Sequence, residues 1–187
     1  MALGLLEREG PEAVTMREVA KAVGITPMAI YHHFPNRQAL LKTVTDSEFD
    51  KLRGLIEAIR QHGSPKPRAQ LIEILMSYVD YALAQPRLFD YVFSRPRPDA
   101  RRFPEDFRAR RSPTLTLLAD AVDEAMRAGK LKKDDVWEVT LALWAHVHGY
   151  LMLYLGGRFD LPEKEFRQLC GRSVKRFMDG IKVKGKA

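Results

Sequence analysis

Apolar residues recur along this chain at intervals of three and four and almost nowhere in strict alternation, so the pattern predicts helices throughout. Leu3, Leu5 and Leu6 open a short helix that Gly10-Pro11 ends. Val19, Ala20 and Val23 give a second helix one apolar face, and Thr15 with Glu18 three residues later reads as a capping box ahead of it. Gly24 stands where that helix must stop, in a backbone conformation that favours glycine. Thr26 is then a good N-cap and Pro27 a good first residue for a third helix, which turns Ile30 and Phe34 inward. Leu40, Leu41, Val44, Phe49, Leu52, Leu55, Ile56 and Ile59 sustain one stripe and predict a long helix over 36–61, broken by His62-Gly-Ser-Pro-Lys-Pro67. Further helices are expected over 68–84, 86–93 (short and aromatic), 113–128, 136–155 and 163–178, with a loose Lys-rich tail after the last. Hairpin signals such as Asn-Gly are absent, and the expected class is all-α.

The second and third helices have the spacing of a helix-turn-helix, whose second helix enters the DNA major groove. Pro27, Met28, Ala29, Tyr31, His32 and His33 are left facing outward. An ordinary αα corner has the same spacing, but a core helix would not place Tyr, His and His on its outer face. Arg17 is the candidate base reader, because a guanidinium can grip guanine O6 and N7. Met28 and Ala29 can touch a thymine methyl, and Thr15, Thr26, Tyr31, His33 and Arg37 are placed for phosphates. Arg37 also opens the long helix, whose first amides attract phosphate. His32 contacts backbone or nothing.

Five signs fall in order within residues 2–46: an apolar helix ending in Glu9-Gly10, Val14-Thr15-Met16-Arg17-Glu18-Val19-Ala20, Val23-Gly24-Ile25, Tyr31-His32-His33-Phe34, and Asn36-Arg37-Gln38-Ala39-Leu40-Leu41. Together they strongly resemble the DNA-binding domain of TetR-type transcriptional regulators. The resemblance implies an N-terminal three-helix helix-turn-helix DNA-binding domain over 1–46, with its connecting helix continuing to about 62, and a C-terminal helical ligand-binding and dimerisation domain over 63–187. It further implies a homodimer that represses from a palindromic double-stranded operator and is released by a small-molecule effector. In that family the first helix is preceded by another turn or two and often by a basic arm. This sequence starts partway into that helix, which leaves open a ligand-binding dimer that no longer binds DNA strongly.

Charge changes the picture less than the total suggests. The net charge is +7 and the pI about 9.6. Within residues 1–62, however, Arg8, Arg17, Lys21, Arg37, Lys42, Lys51, Arg53 and Arg60 are matched by Glu7, Glu9, Glu12, Glu18, Asp46, Glu48, Asp50 and Glu57, so the expected reading domain is neutral. The excess lies in 95–111 and from 163 onward. The Pro- and Arg-rich stretch 94–113 reads as a solvated loop or as a site for an anionic ligand or a DNA flank. The motif, then, carries the DNA reading, and charge does not.

Cys170 is the only cysteine among 187 residues, which excludes an intrachain disulfide and agrees with a reducing cytoplasm. No apolar run approaches the ~20 residues needed to cross a bilayer, and the start has no signal-peptide pattern. A cytoplasmic protein without a membrane partner is expected. Nucleotide-binding glycine loops, a nucleophile elbow and His-Glu-x-x-His are all missing. Neither His32-His33 nor His146 and His148 have the spacing that puts two ligands on one helical face. No enzyme, cofactor or metal site is expected.

The 136–155 segment is apolar nearly all round, so it is buried on most sides, against its own core and against a second copy of the chain. The expected dimer interface takes Trp137, Leu141, Leu151 and Tyr154 from it and Phe166, Leu169, Cys170 and Phe177 from the last helix. Trp144-Ala-His146-Val-His148-Gly149 resembles the Trp…His-Gly signature of the WHG-type TetR subgroup, a likeness that covers about 80–178 loosely. His148 is a satisfied core histidine or a donor to an effector. Tyr78, Phe89, Phe93, Phe107, Met126, Trp144 and Met152 would line the same site, because aromatics and thioethers suit adaptable apolar pockets. An apolar or aromatic effector is expected.

Overall fold

The computed structural model describes residues 1–96 and 99–183. Positions 97–98 of the Pro/Arg-rich stretch and 184–187 of the Lys-rich tail lie outside the described residues. The fold is all-α: α1 (Ala2–Glu9), α2 (Met16–Val23), α3 (Pro27–His33), α4 (Arg37–His62), α5 (Pro67–Ala84), α6 (Pro86–Phe89), α7 (Glu105–Arg108), α8 (Pro113–Arg127), α9 (Val136–Leu155) and α10 (Glu163–Ile181). A 3-10 turn, Pro11–Ala13, joins α1 to α2, and α6 widens into a π turn over Asp90–Ser94. Among the described residues the β pairing found is an isolated bridge between Leu131 and Lys182.

The chain forms two compact units, Met1–Lys51 with Ala84–Pro98, and Leu52–Leu83 with Asp99–Ala187. This differs from a boundary at the 62–67 breaker in two ways. The division falls within α4, and the 86–94 segment joins the first unit. That unit's core gathers Leu5 and Leu6 of α1, Val14, Met16, Val19 and Ala20 around α2, Ile30 of α3, and Leu40, Leu41 and Val44 of α4. Leu88 and Val92 complete it. Phe93 stacks on Phe89 at 5.3 Å between ring centroids and meets Phe49 edge-on at 5.3 Å. The guanidinium of Arg87 donates to the Arg8 carbonyl at the end of α1, supplying a donor to a carbonyl the helix itself leaves unpaired.

In the second unit, Leu71, Leu75 and Val79 of α5, Leu118 and Val122 of α8, Leu143, Val147 and Leu151 of α9, and Phe166, Val174 and Met178 of α10 are buried. Asp135 caps α9 by accepting from the amides of Trp137 (2.9 Å) and Glu138 (3.0 Å). Those amides, with Arg108, hold its carboxyl below the usual range. Two ion pairs tie α5 to α10 near their opposite ends: Arg68 to Asp179 at 2.6 Å and Arg167 to Asp80 in a two-pronged contact at 2.5 and 2.8 Å. The arginines of the loop before α8 are likewise matched, Arg108 with Asp135 (2.9 Å), Arg110 with Asp120 (2.7 Å) and Arg111 with Asp106 (3.0 Å). These three guanidinium groups are therefore matched by carboxylates of their own unit.

Candidate functional site

The α2–turn–α3 element is assembled by local chemistry. Thr15 Oγ1 accepts from the Glu18 amide at 3.1 Å, one half of the capping box. The Thr15 amide itself donates to the Ala13 carbonyl at 3.0 Å, so the preceding 3-10 turn supplies what the Glu18 carboxylate would otherwise provide. Gly24 adopts φ +81°, the left-handed conformation that stops α2, and its amide and that of Ile25 both close on Ala20 O at 2.9 and 3.1 Å. Thr26 Oγ1 accepts from the Ala29 amide at 3.3 Å and starts α3 with Pro27 in its first position. Ile30 is buried at 4% exposure and Phe34 packs against the same core. Pro27, Met28, Tyr31, His32 and His33 are exposed, and Ala29 is half-buried. Arg17 lies exposed in the first turn of α2, while Thr15 and Thr26 use their hydroxyls as caps.

Two residues depart from expectation. Arg37 was expected on a phosphate; its Nε instead donates to Val14 O at 2.8 Å and its Nη2 to Pro11 O at 2.5 Å, with Glu12 3.7 Å away. It fastens the start of α4 to the turn before α2, a pairing between positions 23 and 26 residues apart that local pattern cannot reveal. Val23 was expected in the apolar stripe of α2 and is 50% exposed, because the stripe it would extend ends where Gly24 turns the chain.

In the second unit the polar centre is Tyr78 on α5 with Trp144 and His148 on α9. The Tyr78 hydroxyl lies 3.0 Å from His148 Nδ1, and Trp144 and His148 pack one helical turn apart with centroids at 5.4 Å. Burial raises the Tyr78 pKa well above its usual value, against a smaller opposing effect from a hydrogen bond with Trp144. Burial also lowers that of His148. The native state thus resists the proton that an unfolded histidine accepts near 6.5. Stability from this group is complete above pH 6.5 and is expected to fall as pH drops from there toward the lowered native value. Melting temperatures between pH 7.5 and 5 check this: the decline should flatten in His148→Gln, and an equal decline in that variant assigns it to other groups.

Of the other residues expected at an effector site, Met126 is buried at 6% exposure, and Phe107 at 8% stacks on Trp137 at 6.2 Å within the same unit. Met152 is 37% exposed beside Leu153 and Leu155 at 49% and 36%. Phe89 and Phe93 lie in the first unit, where Phe93 packs against the core. Pro86 starts the helix that carries this aromatic run into the first unit.

The expected dimer residues also divide. Leu151, Phe166 and Cys170 are enclosed by their own protomer at 0%, 0% and 1% exposure, and burial pushes the Cys170 thiol up to about 11. They are internal and not an outer contact face. Trp137 is occupied by Phe107, and Tyr154 stacks on Phe166 at 3.9 Å. Leu141, Leu169 and Phe177 are half-buried. Because α9 is apolar on every side, its periodicity could not separate the inner stripe from the outer one, where Met152, Leu153 and Leu155 lie. Sequence reasoning also passed over His146, whose Nε2 meets Ser173 Oγ at 2.9 Å and whose ring packs on Phe177.

Comparison with known proteins bears on both units. Residues 1–44 match the family model described as bacterial regulatory proteins, tetR family, and residues 71–177 match the tetracyclin repressor-like C-terminal domain. The HTH-type transcriptional regulator BetI of Rhizobium meliloti (strain 1021) is 31% identical over 72 residues, 38% of this chain and 36% of that protein. The match thus spans only about a third of that relative's length. A protein of unknown function from Rhodococcus sp. RHA1 superposes with a TM-score of 0.80 and 26% identity, covering 97% of this chain and 92% of that one. FadR of Bacillus subtilis, solved in complex with stearoyl-CoA, superposes with a TM-score of 0.77 at 13% identity, covering 96% and 95%.

Proposed function

Because the chain belongs to the TetR family of transcriptional regulators, we propose that it binds a palindromic operator as a homodimer, represses from it, and leaves it when a small apolar or aromatic effector occupies the second unit. The observation that carries this reading is the doubly capped α2–turn–α3, which buries Ile30 and leaves Met28 (69%) and Tyr31 (50%) in solvent. A helix with that outer face needs a partner, and helix-turn-helix geometry offers it the major groove. Arg17 reads a base in this scheme, Pro27, Met28 and Ala29 face the groove floor, and Tyr31, His32 and His33 reach the backbone. Leu141, Leu169 and Phe177 contribute to the contact between copies.

The test is a fluorescence anisotropy titration with duplexes from the region upstream of the protein's own gene, against scrambled duplex. Specific binding is expected, and Arg17→Ala should weaken it by ~1–3 kcal/mol with little change on scrambled DNA. Equal affinity for both duplexes would refute the reading.

The effector is placed at the Tyr78–His148–Trp144 centre with Met126 and Met152. Release is a population shift, in which the ligand must bind the DNA-free conformation more tightly. The shared fold with a regulator solved with stearoyl-CoA makes a long-chain acyl thioester the first compound to test.

A further inference from the structure

We infer that this reading surface recognises its operator mainly through the 5-methyl groups of thymine, met by the apolar side chains of Val23, Ile25, Met28 and Ala29. The inference rests on the DNA-binding reading above and adds what chemistry the operator must present. The side chains that pair two-pronged with base edges are Arg, Lys, Asn, Gln and the carboxylates. None occurs in α3, whose sequence is Pro-Met-Ala-Ile-Tyr-His-His. Arg37, the next guanidinium along the chain, is committed to the Val14 and Pro11 carbonyls. Arg17 remains for a hydrogen-bonded base at the edge of the site.

What α3 and the turn before it do present is apolar surface. Met28 is 69% exposed, Val23 50% and Ile25 42%, all within six consecutive positions. Large apolar side chains gathered in one exposed patch mark a contact site. Met28 and Ala29 directly follow the Thr26 cap and Pro27, at the end of a recognition helix that meets base edges, and Val23 and Ile25 immediately precede that cap. In the major groove the apolar feature a base pair offers is the thymine methyl. Apolar side chains against hydrogen-bonding edges would leave those edges dehydrated and unpaired, whereas against methyls both partners lose water-exposed apolar area.

The experiment uses the full-length protein and an operator selected from a random duplex pool. The same duplex is then synthesised with deoxyuridine in place of each thymine under α3. This removes the methyl and keeps the base-pairing edges and phosphate charges. Burying one such group is worth about a fourfold change in affinity, so one methyl per half-site predicts about a sixteenfold loss on the uracil duplex. Met28→Ala, a change at an exposed position, should bind the thymine duplex more weakly and show a smaller thymine-to-uracil ratio. Wild-type protein that keeps its preference over scrambled DNA yet binds thymine and uracil duplexes equally would overturn the inference while leaving the regulator reading intact. Failure to select any operator would remove the regulator reading and this inference together.

Discussion

Leu88→Ala is expected to destabilise the N-terminal unit by about 2–5 kcal/mol and to abolish operator binding, although residue 88 lies far beyond the helix-turn-helix in sequence. Leu88 is fully buried and belongs, with Val92, to the core that also holds Leu6, Val19 and Ile30. Removing its side chain leaves a cavity in a small unit with little stability to lose. Both tryptophans, Trp137 and Trp144, belong to the second unit, so their fluorescence reports that unit. Hydrogen exchange of the α1–α3 amides reports the first. Exchange in α1–α3 should accelerate strongly while the tryptophan signal keeps its native form. If α1–α3 protection and operator binding were unchanged and only the effector response moved, Leu88 would serve the effector site and not this core.

Arg37→Ala should cost about 2–3 kcal/mol in the same unit, because its charge-assisted hydrogen bonds to Val14 O and Pro11 O are made by one partly buried guanidinium. Arg37→Lys should recover little of this, since a single ammonium cannot span both carbonyls as a fork does. A phosphate contact predicts the opposite pattern: Lys would substitute well, and Ala would reduce the salt dependence of binding by about one charge. Thermal unfolding of the three proteins together with the slope of affinity against salt separates the two roles. Unchanged stability with a reduced salt slope would return Arg37 to the DNA.

What was legible in the sequence follows from the range of the forces involved. Thr15, Gly24, Thr26 and Pro27 act on amides and carbonyls three or four residues away, so their types and spacing announced α2, the turn and α3 without reference to the rest of the molecule. Ile30 was legible as an inward residue because helical periodicity is also local. Asp134 and Asp135 both stand just before α9 with the side chain of an N-cap, and only the geometry selects Asp135.

The sequence by itself therefore determined the helical class, the helix-turn-helix and its outward face, and the family to which the chain belongs. Only the tertiary structure decided that Leu88 and Val92 complete the first core, that Arg37 fastens the start of α4 to the turn before α2, that Val23 faces out, and which side of α9 is internal. Those outcomes depend on partners brought together from distant parts of the chain. An apolar side chain carries no label saying which of two cores it will enter, and a guanidinium binds a carbonyl or a phosphate with the same fork, so the choice is made when the chain closes on itself.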